Sequence, residues 1–210
     1  MRYPIFKKST LTLPAASLIM WAIMACGTSM SAAAAPEMSE DASASGPVKV
    51  SVLRYSVPDV ALVRQDGRHV SLAAEMNDGR PVVLNFIFTS CGSICPLMSQ
   101  VFGQFQHKLG AQSAKVHLMS ISIDPEADTP AKLREYAHQF GARAGWQHYT
   151  GTLQASVEAQ RAFDVYRGDK MSHRAVTLMR AAPGQPWVRL DGFVTPTQMM
   201  NHYREMLASR

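Results

Sequence analysis

A chain of 210 residues with 47% hydrophobic and 18% charged residues has globular composition, which excludes a collagen, a coiled coil or a chain disordered throughout. The formal charge of +5 suggests a nucleic acid or an anionic membrane, but three of the 21 basic residues, Arg2, Lys7 and Lys8, sit at the front, and residues 1–35 contain no acid. The remaining 18 basic against 16 acidic residues give no electrostatic case for nucleic acid, and no basic run with interleaved aromatics appears.

The front reads as an export signal: basic residues first, a nearly unbroken apolar run from Leu11 to Ala25, then Ser31-Ala-Ala-Ala-Ala35. The apolar run is short for a permanent span, which takes ~20 residues. Extended through Met30, it would serve as an uncleaved anchor. Ala33-Ala-Ala35 predicts cleavage after Ala35, so a signal peptide over 1–35. The alternative is Ile23-Met-Ala-Cys26-Gly27, which resembles a bacterial lipoprotein box and would end a lipoprotein signal at residue 25, with Cys26 lipidated as a membrane anchor. Either way Cys26 leaves the folded domain. Localisation follows as exported, in a bacterial periplasm or on the outer face of the inner membrane. Residues 36–47, rich in Ser, Ala and acids, read as a flexible tether, and the folded domain as 48–210.

Val60–Val63 and His69–Leu72 flank Gln65-Asp66-Gly67-Arg68, a hairpin signal. Val82–Phe88 is an apolar run that predicts a central strand covered on both faces. Pro96 to Leu109 predicts a helix with an apolar stripe at Leu97, Met98, Val101, Phe102, Phe105 and Leu109. A strand over Val116–Ile123 follows. Thr129 caps a helix that opens with Pro130, carries Leu133, Tyr136, Ala137 and Phe140, and stops at Gly141. Leu153–Phe163 predicts a further helix. Ala175–Met179 and Trp187–Phe193 predict two strands joined through Pro183-Gly184, and Thr195-Pro196 opens a last helix to Leu207. The succession is a hairpin, strand–helix–strand–helix–helix, two strands and a helix. It argues an α/β sandwich with a central mixed sheet.

Two cysteines remain in the domain, four positions apart in Phe88-Thr-Ser-Cys91-Gly-Ser-Ile-Cys95-Pro96, where a central strand turns into a helix. Open α/β sheets place their sites at such carboxyl ends. A tight loop can bring the sulfurs within disulfide reach, and a helix N-terminus favours thiolate. Pro96 disfavours helical dihedrals at Cys95, so the pair is expected on the loop entering the helix. Three readings stay open at this point. A structural disulfide gains little from closing so small a loop. A dithiol–disulfide oxidoreductase would more usually have Cys-x-x-Cys. A soft-metal site suits two thiolates with an imidazole, and three-coordinate Cu(I) fits better than zinc, which wants four protein ligands in a structural site.

These residues, with Ser120-Ile-Ser-Ile-Asp124-Pro-Glu-Ala-Asp-Thr-Pro130 and His173 before a strand, resemble the Sco/SenC family from about Val52 to Leu207. The resemblance implies a thioredoxin-like three-layer sandwich with an N-terminal β-hairpin. It implies copper, Cu(I) and possible Cu(II), bound by Cys91, Cys95 and His173, with Cys91 and Cys95 forming a redox-active disulfide when oxidised. It further implies a non-enzymatic metallochaperone that delivers copper to the copper-bearing subunit of cytochrome c oxidase, or keeps that centre's cysteines reduced. Other periplasmic copper or thiol proteins are alternative partners. The alternative function is a periplasmic thiol–disulfide oxidoreductase or redox sensor using Cys91 and Cys95. Gly92 stands where many members have Pro, and Ser172 where an acidic residue is common. The six other histidines have no comparable support. The methionines outside the signal read mainly as core packing, with Met171, beside His173, the one that would lie near a copper site, and Asp124, Glu126 and Asp128 read mainly as loop and helix-cap residues.

Overall fold

The computed structural model describes residues 48–209. The expected signal, anchor and tether lie outside the described residues. Among the described residues, no helix is long and apolar enough to cross a membrane.

The elements run β1 (Lys49–Leu53), β2 (Ala61–Arg64), β3 (His69–Ser71), α1 (Leu72–Met76), β4 (Val82–Ile87), α2 (Ile94–Leu109), β5 (His117–Ser122), α3 (Pro130–Gln139), β6 (Trp146–Gly151), α4 (Leu153–Ala162), β7 (Val176–Arg180), β8 (Trp187–Asp191) and α5 (Pro196–Ala208). The strands form one eight-stranded sheet ordered β1-β8-β7-β4-β5-β6-β2-β3. It is mixed: β4–β5 and β5–β6 are parallel, and the other pairs are antiparallel. β2 and β3 pair with Leu62 opposite Val70, joined by a turn in which Gly67 takes φ +87°.

Helices cover both faces, which is why β4 is apolar at almost every position. The two-residue period of the strand sends Val82, Leu84 and Phe86 towards α1 and α4, where they pack with Met76, Ala155 and Ala159. Val83 faces the other way, onto Phe102 and Phe105 of α2 and Met199 and Tyr203 of α5. Ile87 packs with Leu133 and Tyr136 of α3 and with Cys95. Burying each such side chain contributes about 1.5–3 kcal/mol. α2 and α3 approach closely at Gly103, where a Cβ would stand 2.7 Å from the Phe140 carbonyl oxygen. The layering is the thioredoxin-like three-layer sandwich.

Helix starts follow the local chemistry. Thr129, Thr152 and Thr195 each accept a backbone N–H from the first turn of α3, α4 and α5, and Thr195 forms a full capping box with Gln198. Three elements differ from the sequence expectation. β1 and the five-residue α1 were not anticipated. β6 lies between α3 and α4, where the sequence suggested a direct helix-to-helix passage. Its segment WQHYTG mixes polar with aromatic residues, so it shows neither clean alternation nor an apolar run, yet Trp146, His148, Tyr149 and Thr150 are all buried.

Candidate metal centre

β4 ends at Ile87, and the chain then turns back, with the Cys91 N–H donating to the Phe88 carbonyl at 3.2 Å. α2 begins at Ile94. Cys95 is therefore inside the first turn of the helix, not on the loop before it. The expectation from Pro96 fails because α2 begins two residues before the proline, which still occupies the first turn, where a missing N–H breaks no helical hydrogen bond. Cys91 remains on the loop.

The two thiols stand in unlike surroundings. Cys91 is part exposed, while Cys95 is fully buried among Ile87, Phe88, Leu133 and Tyr136. The Cys95 N–H points at the Cys91 sulfur at 3.4 Å. Burial works against ionisation of Cys91. The backbone N–H groups of Cys95, Ser93 and Ile94, with the Cys95 thiol, outweigh it and hold Cys91 below the ordinary thiol value. Burial pushes Cys95 up to about 12, offset in part by a hydrogen bond from the Phe88 backbone and reinforced by the nearby Cys91 sulfur and Asp128 charge. No disulfide joins Cys91 to Cys95.

His173 follows a short 3-10 turn, Lys170–Ser172, that Asp169 caps, and precedes β7. Because β7 pairs with β4, placing Thr177 opposite Asn85, the histidine arrives at the same strand end as the cysteines. The residue is 7% exposed, and Nε2 donates to the Phe86 carbonyl at 2.9 Å. A carbonyl only accepts, so in the neutral ring Nδ1 carries the lone pair. Burial lowers the His173 pKa, the Phe86 carbonyl opposes that, and the Arg167 charge adds to it, which keeps a donor nitrogen unprotonated at neutral pH. An open cleft of about 410 Å³ lies beside the ring, lined by Ile123, Asp124, Tyr166, Arg167 and Lys170 among others.

The structure thus gathers Cys91 and Cys95 and brings His173 to the end of the same strand. Among the described residues, no three His, Cys, Asp or Glu side chains stand close enough together to hold a metal ion as they are. Two thiol sulfurs and an imidazole nitrogen nevertheless make a soft donor set, suited to Cu(I) or Zn(II). Met171 is 75% exposed.

Sequence reasoning missed Asp128. Read as a loop residue, it is fully buried and accepts hydrogen bonds from the Thr89 N–H (3.1 and 3.3 Å), the Thr89 hydroxyl (2.6 Å) and the Ser122 hydroxyl (2.6 Å). The available signal was Thr89 and Ser122 at the ends of two adjacent parallel strands, both hydroxyl donors in search of an acceptor. Asp124, in the same loop, forms an ion pair with Lys170 at 2.6 Å.

The sequence model of the SCO1/SenC family matches residues 55–208. The chain is 36% identical over 107 residues to the SCO1 protein homolog of Bacillus subtilis, a match that covers 50% of this chain and 54% of that protein. It thus spans about half the length of the curated relatives it matches. The fold superposes on that of Arabidopsis thaliana ScoI with copper bound, with a TM-score of 0.61 at 24% identity, covering 73% of this chain and 99% of the other. It also superposes on BsSco, a member of the Sco family of cytochrome c oxidase assembly proteins in which a disulfide switch was identified, with a TM-score of 0.62 at 24% identity, covering 76% and 97%. With a family match over residues 55–208 and a fold that agrees with it, the chain belongs to the SCO1/SenC family.

Proposed function

We propose that this protein is an exported metallochaperone that binds Cu(I) through the Cys91 and Cys95 sulfurs and His173 Nδ1. The observation that carries the reading is the convergence at one strand end of a thiol pair and a buried imidazole whose Nε2 is already committed to the Phe86 carbonyl. Two sulfurs and one nitrogen suit Cu(I). Family membership and the copper-bound Arabidopsis relative support copper as the cargo. Copper(II) would enter with a fourth ligand. The recipient is the copper-bearing subunit of cytochrome c oxidase or another periplasmic copper or thiol protein, in keeping with the assembly role stated for BsSco. The basic–apolar–small order of residues 1–35 supports export to the periplasm, with retention at the membrane only through that segment or a lipid on Cys26.

A second reading rests on the unlike thiols. An accessible, low-pKa Cys91 beside a buried, high-pKa Cys95 is also the arrangement of an attacking and a resolving thiol in a thiol–disulfide oxidoreductase.

One experiment separates them. The reduced full chain is titrated with Cu(I) against a chromophoric chelator, alongside Cys91→Ser and His173→Ala. Loss of copper in both variants supports the chaperone. A wild type that fails to compete for copper, yet reduces disulfides equally well with and without His173, leaves only the oxidoreductase.

A further inference from the structure

The loops that carry the cysteines and the histidine lie far apart in sequence, yet one polar chain runs between them. It starts at Thr89, two residues before Cys91. The Thr89 N–H and hydroxyl both donate to the Asp128 carboxylate. Asp128 Oδ2, which shares the Thr89 N–H, also accepts the Ser122 hydroxyl at the end of β5. Ser122 Oγ in turn accepts the Asp124 N–H at 3.0 Å. The Asp124 carboxylate receives Lys170 Nζ at 2.6 Å, and Lys170 is three residues before His173. Lys170 Nζ also stands 5.7 Å from the centre of the Phe88 ring, at the root of the cysteine loop.

Asp128 is the one fully buried carboxylate among the described residues. A buried carboxylate is costly unless its oxygens are well supplied with donors. Here the donors come from the cysteine loop and the end of β5, so the carboxylate stays satisfied only while Thr89 is seated against β5. Removing the acceptor strands the Thr89 N–H and hydroxyl together. The Ser122 hydroxyl then loses its orientation, and with it the Asp124 loop that Lys170 grips.

We propose that Asp128 is a positioning residue for both ligand-bearing loops. It seats the cysteine loop directly through Thr89, and holds the histidine loop indirectly through Ser122, Asp124 and Lys170. Asp128 hydrogen-bonds neither sulfur nor the imidazole; beyond the reach of its charge to Cys95, it acts through Thr89 and Ser122, which lie on the segments leading to the ligand-bearing loops. The proposal rests on the copper reading for one of its consequences, the affinity, and stands apart from it for the other, the pairing of the two sulfurs.

The test uses the full chain as wild type, Asp128→Asn, Thr89→Val, Thr89→Ser and Lys170→Met, with circular dichroism to establish that each folds. The first readout needs no metal: the Cys91–Cys95 dithiol is equilibrated with reduced and oxidised glutathione. Looser seating lowers the effective concentration of one sulfur at the other. Asp128→Asn is expected to shift the equilibrium about tenfold towards the dithiol, equivalent to ~30 mV. Thr89→Val shifts it less in the same direction, and Thr89→Ser, which keeps the hydroxyl, restores it. The second readout is Cu(I) affinity by chelator competition. Asp128→Asn should weaken it about 10–100-fold, the range for residues that orient ligands. Lys170→Met should weaken it by less and leave the glutathione equilibrium where it was.

Wild-type values on both readouts in a folded Asp128→Asn overturn the proposal. So does a melting temperature that falls with both readouts unmoved, since that is a purely structural carboxylate. If Asp128→Asn does not fold, Thr89→Val against Thr89→Ser decides. Unchanged Cu(I) affinity in Lys170→Met removes the histidine-loop arm. A wild type that binds no Cu(I) defeats the copper reading, and the glutathione equilibrium still judges Asp128.

Discussion

The two ends of the β4–β5 pair hold similar side chains in opposite conditions. At the amino end, His117 opens β5 with both ring nitrogens occupied: Nδ1 faces the Glu75 carbonyl at 3.0 Å and Nε2 the Tyr149 hydroxyl at 2.8 Å, while that hydroxyl reaches Glu75 Oε2 at 2.5 Å. At the carboxyl end, His173 spends one nitrogen on Phe86 and keeps the lone pair of the other in reserve. Both histidines are buried, and burial lowers both pKa values. What separates them is residual bonding capacity. A buried polar group with every partner in place serves the fold, and one with a lone pair in reserve is available for chemistry.

That contrast makes graded predictions. The largest effect belongs to the carboxyl end: Cys91→Ser should reduce Cu(I) affinity by more than about 100-fold, beyond the range for residues that merely orient ligands, with little change in melting temperature. Tyr149→Phe should do the reverse. It leaves His117 Nε2 and Glu75 without their shared hydroxyl and should cost about 1–3 kcal/mol in urea unfolding, with copper affinity unchanged. A Tyr149→Phe protein that lost copper binding would erase the distinction between the two ends.

Acid should act on the fold through the buried histidines. His148 is fully buried with neither nitrogen hydrogen-bonded, and burial pushes its pKa down to about 3. Its folded value lies below the unfolded value of about 6.5, so the unfolded chain takes up the proton first. The stability is whole above about pH 6.5 and declines as pH falls towards about 3, by about 1.4 kcal/mol per pH unit for this proton. His148→Phe should flatten that part of the stability–pH curve measured by denaturant titration. The smallest effect is expected at Met171, exposed and outside the core: Met171→Leu should leave stability within about 0.5 kcal/mol. A fall in Cu(I) affinity in that variant would show the thioether helping at the site.

Local signals account for what was legible in the sequence. The apolar run of β4, the stripe of α2 and the Thr-Pro starts of α3 and α5 each lie within a few consecutive residues, and the structure has them there. The cysteine pair was legible for the same reason. β6 was not, because its Trp146, His148 and Thr150 are buried by a sheet assembled from distant strands, and no short window records that. Asp128 was misread because a loop aspartate before Thr-Pro looks like a cap until Thr89, 39 positions away, arrives to bond it. The contact of His173 with Phe86 spans 87 positions. Only the resemblance to a family pointed to that histidine, since its chemistry depends on the pairing of β7 with β4.

The depth of Cys95 imposes direction on traffic at the site. A visiting thiol or metal carrier from solvent meets Cys91 first, because Cys95 has no exposed surface. A mixed disulfide at this site would form on the outer sulfur and be resolved from within, by a thiol shielded from a second visitor. Hand-over in the opposite sense would release the inner sulfur first and the outer one last. The fold has made a queue out of two chemically identical groups, and the visitor's place in it is set by a single turn of helix.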